Sequence, residues 1–129
     1  MIDISIPYVA IIAALMAGLS TAVGVRRGID NVALGDGGSA PLFLAQRRFG
    51  NLSEYAAMLL LLLVLLELNG APARWLHAYG IAIVVLRLLH PVALFDDMDA
   101  AAWRKAARFV SAAGTALLLV VGGGGLLLL

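Results

Sequence analysis

The sequence predicts an all-α integral membrane protein of four helices, and three observations carry that fold class. Of 129 residues, 63% are hydrophobic and 13% charged, against roughly 45–50% apolar residues in an ordinary soluble domain. Mean hydropathy is +1.01. The apolar residues also gather into four stretches, each at or beyond the ~20 residues a helix needs to cross about 30 Å of hydrocarbon. The chain 1–129 is therefore expected to form a single four-helix transmembrane domain, with helices over about 4–26, 42–68, 74–95 and 103–129.

The first stretch, Ile4 to Val25, carries no charge. It opens with Asp3 rather than a basic segment, and its uncharged run exceeds the core of a signal peptide, so it reads as a retained helix. The connection that follows, "RRGIDNVALGDGGSAP", holds Gly35, Gly37 and Gly38, and its Ser39 with Pro41 marks a helix start. It is expected to be a surface loop of about sixteen residues. The second stretch contains Arg47, Arg48, Glu54 and Glu67. The turn "NGAP", Asn69 to Pro72, is short enough to make the second and third helices antiparallel neighbours. The third stretch contains His77, Arg87 and His90, and a short acidic connection, "DDMDAAAW", leads to the fourth. From Phe109 onward no residue is charged, and the tail "GGGGLLLL" reads as a close helix contact or a loosened helix end.

Several function classes are excluded. Without cysteine the chain has no disulfide, no thiolate zinc site and no cysteine nucleophile. Its two histidines lack a carboxylate pattern, so no metal site is expected. A net charge of +1 gives no reason to expect nucleic acid as a partner. The distribution of basic residues says more. Arg26, Arg27, Arg47 and Arg48 flank the first connection, and Arg104, Lys105 and Arg108 follow the third, whereas Arg74 stands alone in the second. The positive-inside rule places connections one and three in the cytoplasm.

The polar residues of the middle helices form a pattern. Arg47, Asn51, Glu54 and Tyr55 share one helical face. Arg87 and His90, three apart, share another. At the rise of about 1.5 Å per residue, Glu54 lies roughly 15 Å and Arg87 roughly 12 Å from the cytoplasmic ends of their helices. The two are thus expected to lie level, and a buried Glu54–Arg87 contact follows. Charged groups at that depth are costly unless paired and mark a functional site or a pathway. A single salt bridge holding two helices in register accounts for Glu54 and Arg87 but not for the rest of the set. The glycosylation triplet Asn51-Leu52-Ser53 falls inside a membrane helix and is set aside. Trp75 and His77 read as part of an interfacial aromatic belt.

The segment "R-x-x-x-N-x-x-E-Y", here Arg47, Asn51, Glu54 and Tyr55, resembles the second-helix signature of the MAPEG family, the membrane-associated proteins in eicosanoid and glutathione metabolism. The "ELNG" turn, the chain length, and Arg87 with His90 in the third helix fit the same family. The resemblance implies a left-handed bundle assembled as a homotrimer, with glutathione bound in the membrane between subunits near the cytoplasmic side. It implies that Arg26 and Arg47 neutralise glutathione carboxylates, Asn51 bonds its backbone, Glu54 accepts from its ammonium group, Arg87 belongs to the same cradle, and Tyr55 and His90 close the pocket. Arg104 or Arg108, with a slight preference for Arg104, would hold the thiol as thiolate, the nucleophilic form. His90, Leu94 and Phe49 stand where the leukotriene synthases of the family carry two tyrosines and a glutamine, which fits the family's broad microbial branch. The implied activity is glutathione transfer, or a peroxidase-like reaction, on hydrophobic substrates that arrive through the lipid of a bacterial inner membrane. The alternative is a non-enzymatic lipid-binding or structural member.

Overall fold

The computed structural model describes residues 2–95 and 99–129. Four helices account for most of it: α1 (Ser5–Asp30), α2 (Ala40–Leu68), α3 (Ala73–Ala93) and α4 (Ala102–Leu128). All four are long and apolar enough to cross a membrane. Helices α2 and α3 each touch the other three, whereas α1 and α4 flank them without meeting. Contacts fix the directions. The start of α1 meets the end of α2 through Ser5 and Glu67, and the start of α3 through Tyr8 and His77. The start of α3 in turn meets the second half of α4 through Tyr79 and Leu118. The bundle therefore runs up, down, up, down, as short connections dictate.

The core is a seam of residues at helical spacing. Leu52, Ala56, Leu59 and Leu63 of α2 interlock with Leu76 and Ile83 of α3 and with Tyr8 and Ile12 of α1. Most of the outer surface is apolar and exposed, including Phe109, Val120 and Leu127 of α4, which is the pattern of a bundle solvated by lipid rather than water.

Two boundaries differ from expectation, each for a local reason. Helix α1 continues past Val25 to Asp30, because Arg26 and Asp30 pair one turn apart at 2.7 Å and Asn31 closes the helix in the left-handed conformation at φ 55°. The loop is thereby shortened to 31–39, and Arg27 ties it down through the carbonyls of Ala33 and Gly35 at 3.1 and 3.0 Å. Helix α3 ends at Ala93 rather than near Phe95, with Leu94 extended. The start of α2 is as expected: the Ser39 hydroxyl accepts from the Leu42 amide at 3.2 Å, with proline in the first turn. The acidic residues Asp96 and Asp97 that open the third connection lie outside the described residues.

Glu67 has an unexpected role. Its carboxylate accepts hydrogen bonds from the backbone amides of Asp3, Ile4 and Ser5 at 2.7, 2.6 and 2.8 Å, and from the Ser5 hydroxyl. The end of α2 thus caps the start of α1, supplying a negative charge where the helix dipole is positive.

Candidate polar site between α2, α3 and α4

At the end of the bundle opposite Glu67, α2 presents Arg47 and Asn51, α3 presents His90, and α4 presents Arg108 to one cavity of about 320 Å³, with Phe43 and Phe95 completing its walls. Asn51 lies one turn beyond Arg47, and the same helix buries Leu52 and Ala56 against the core. Burial of that neighbouring stripe turns the polar stripe toward α3 and the open side of α2.

Behind Asn51 sits Arg87, 1% exposed. One guanidinium nitrogen donates to the Asn51 side-chain oxygen at 2.9 Å, and the other to the Ser111 carbonyl at 3.3 Å and to the Thr115 hydroxyl. The Tyr55 ring lies 5.6 Å away, in cation–π range. Arg87 Nε is buried without a partner. Each hydrogen-bond partner of Arg87 among the described residues is neutral. The Glu54–Arg87 pair expected from helix depth does not form: Glu54 lies on the open face of α2 and pairs with Arg47 at 3.5 Å instead. Glu54 is three residues past Asn51, and Asn51 is the residue that the α2–α3 seam turns toward Arg87.

More cations gather at the end of α3. Because the helix stops there, the Leu94 carbonyl is free to accept from Arg48 at 3.4 Å and from Arg104 at 3.0 Å. The Phe95 ring lies within cation–π range of both Arg104 and Arg108, at 5.7 and 5.0 Å. Arg104 is thus directed at Leu94, whereas Arg108 borders the cavity.

The structure therefore joins most of the residues singled out in the sequence. Arg47, Asn51, His90 and Arg108 line the cavity, Arg87 backs it, and Glu54 and Tyr55 lie beside it on the exposed face of α2. Arg26 is not among the residues lining it and pairs with Asp30 on α1. Sequence reasoning missed Ser111 and Thr115, the partners that α4 offers to Arg87. Their spacing of four on one face of an apolar helix was the available signal. No group of three or more potential metal ligands exists among the described residues.

A four-helix bundle of membrane-spanning helices defines the class: an integral membrane protein, here with a polar cavity bordered by Arg47 and Arg108 at one end. The MAPEG family model matches residues 5–124. The chain belongs to the MAPEG family. It is also 36% identical over 87 residues to the "Inner membrane protein YecN" of Escherichia coli K12, and equally to the protein of that name from Escherichia coli O6:H1; the match covers 67% of this chain and 66% of each relative. No solved structure matches the chain.

Proposed function

We propose that the polar cavity binds glutathione, or a thiol of the same anionic character, and that the protein activates the thiol for attack on lipophilic electrophiles dissolved in the bilayer. The observation that carries this reading is Arg87: a guanidinium buried among neutral partners, with one nitrogen unpartnered, beside a cavity already bordered by Arg47 and Arg108. Such an accumulation of cations at membrane depth is unfavourable unless an anion joins it, and arginine matches a carboxylate in two-pronged geometry. In this reading Arg47 holds a carboxylate, Asn51 bonds the peptide backbone, Glu54 takes the ammonium group, and Tyr55 and His90 close the pocket.

Thiol activation falls to Arg108, which borders the cavity while Arg104 is engaged by Leu94. A cation there favours thiolate over thiol. Glu54 and Tyr55 are open to the surroundings in one subunit, so a homotrimer in which a neighbour covers that face, and brings its own Arg26, completes the site. By analogy with the relative named as an inner membrane protein, the chain resides in a bacterial inner membrane, with the polar end and connections one and three toward the cytoplasm.

Calorimetric titration of the purified protein tests the reading, using glutathione and its dicarboxylate ester. Binding of glutathione that is lost with the ester, and weakened in Arg47→Ala and Glu54→Gln, supports it. Equal binding of both ligands, or no heat with either, contradicts it.

A further inference from the structure

A second cavity, of about 380 Å³, lies at the other end of the bundle, between α2, α3 and α4. Its size is within the ~300–1,000 Å³ typical of small-molecule sites. Its floor is Leu66, Leu76 and Tyr79, all buried, with Gly122 and Gly125 of the glycine run along one wall. The two glycines let the floor residues approach α4 closely. A Cβ on Gly122 would collide with the Tyr79 hydroxyl, and one on Gly125 would lie 3.3 Å from Leu66. Glycine at 122 lets the Tyr79 ring cross to α4 and donate to the Leu118 carbonyl at 2.8 Å, so the polar atom beneath the cavity is already satisfied. What is left is a hydrocarbon-lined slot.

Its rim has a different chemistry. Trp75, 63% exposed, lines the mouth from the first turn of α3. The Arg74 guanidinium lies 5.8 Å from the Trp75 ring. Arg74 forms no ion pair among the described residues, and it stands in the first turn of α3, just past the turn that joins α2 to α3. An unpaired cation and an indole therefore stand together where α3 begins, directly above an apolar slot. Tryptophan and arginine at a helix end are the usual anchors at headgroup level. A molecule fitting both features is anionic at one end and a hydrocarbon chain at the other.

We propose that this cavity seats one acyl chain of an anionic glycerophospholipid whose phosphate rests on Arg74 beside Trp75. The charge complementarity selects this occupant over a second helix, which would need a broad face rather than a slot with a cationic mouth. The site is separate from the polar cavity and does not depend on the function proposed for that cavity.

The test uses Trp75 as reporter. In a Trp103→Phe background, the full chain is reconstituted in vesicles of phosphatidylcholine containing a minor share of lipid brominated on the acyl chain, either phosphatidylglycerol or phosphatidylcholine. The expected result is stronger quenching by brominated phosphatidylglycerol, equivalent to a preference of about fivefold, the size expected for one arginine beside an anionic headgroup. Arg74→Gln should abolish the preference while leaving quenching by the neutral lipid. Ala78→Leu with Ala82→Leu, which fills the slot without touching Arg74, should lower quenching by both lipids. Equal quenching by both lipids in the parent protein would mean ordinary annular lipid and would overturn the proposal. So would a preference that survives Arg74→Gln, or quenching that is indifferent to filling the slot.

Discussion

Removing the carboxylate of Glu67 should loosen α1 from the bundle while leaving α2 to α4 in place. Three backbone amides and one hydroxyl converge on that carboxylate, and α1 packs only on α2 and α3. A hydrogen bond to a charged group is worth about 1.5–3 kcal/mol net, but the four bonds share one group near the bundle end, where water can replace some of them. Loss of a helix cap typically costs about 0.5–2 kcal/mol. The readout is amide hydrogen exchange, because the effect is local opening rather than global unfolding. Amides in the first turns of α1, around Ser5 to Tyr8, should exchange about tenfold faster or more, with α3 and α4 little changed. Glu67→Gln, which retains an acceptor without the charge, should fall between. Unchanged exchange at the start of α1 in Glu67→Ala would refute the assignment of Glu67 as the cap.

The glycine run offers a contrast within four residues. Gly122→Ala should destabilise by about 1–3 kcal/mol as an overpacking substitution, because its Cβ meets the Tyr79 ring end. Gly123→Ala, with nothing within 4 Å, should be neutral or stabilising by up to about 1 kcal/mol through helix propensity. Thermal unfolding in detergent compares the two. Gly80→Ala should lower the same midpoint by forcing the Tyr8 ring, 2.5 Å from the added atom, away from α3, and a midpoint equal to the parent's would contradict that packing. Thr115→Val removes one neutral partner of Arg87. It should destabilise by about 1–3 kcal/mol, the cost of stranding a buried donor, and glutathione should recover part of the lost midpoint only if the ligand engages the Arg87 cluster.

How much of this was legible beforehand depends on the range of the interaction. The four helices were visible because hydrophobic length is a local property, and the start of α2 was visible because Ser39 and Pro41 act on the amides that follow them. The end of α1 was not, since charge at Arg26 reads as a membrane boundary until its pairing with Asp30 is known. The polar face of α2 was clear from helical spacing, which correctly gathered Arg47, Asn51, Glu54 and Tyr55. Spacing could not decide which of them meets Arg87. That depends on how α2 is rotated against α3, and the burial of Leu52 and Ala56 brings Asn51, not Glu54, to the contact. Glu67 was read only as one more charge in a membrane helix, because a cap supplied across 62 residues leaves no sequence signature. The choice between Arg104 and Arg108 likewise waits on the carbonyl that the end of α3 sets free.

A cavity that holds a thiol as its thiolate should be visible in ultraviolet difference absorbance of the protein with glutathione, in the parent chain and in Arg104→Ala and Arg108→Ala. The expected result is a thiolate signal in the parent that persists in Arg104→Ala and disappears in Arg108→Ala. A parent protein that shows no thiolate signal at saturating glutathione would contradict it.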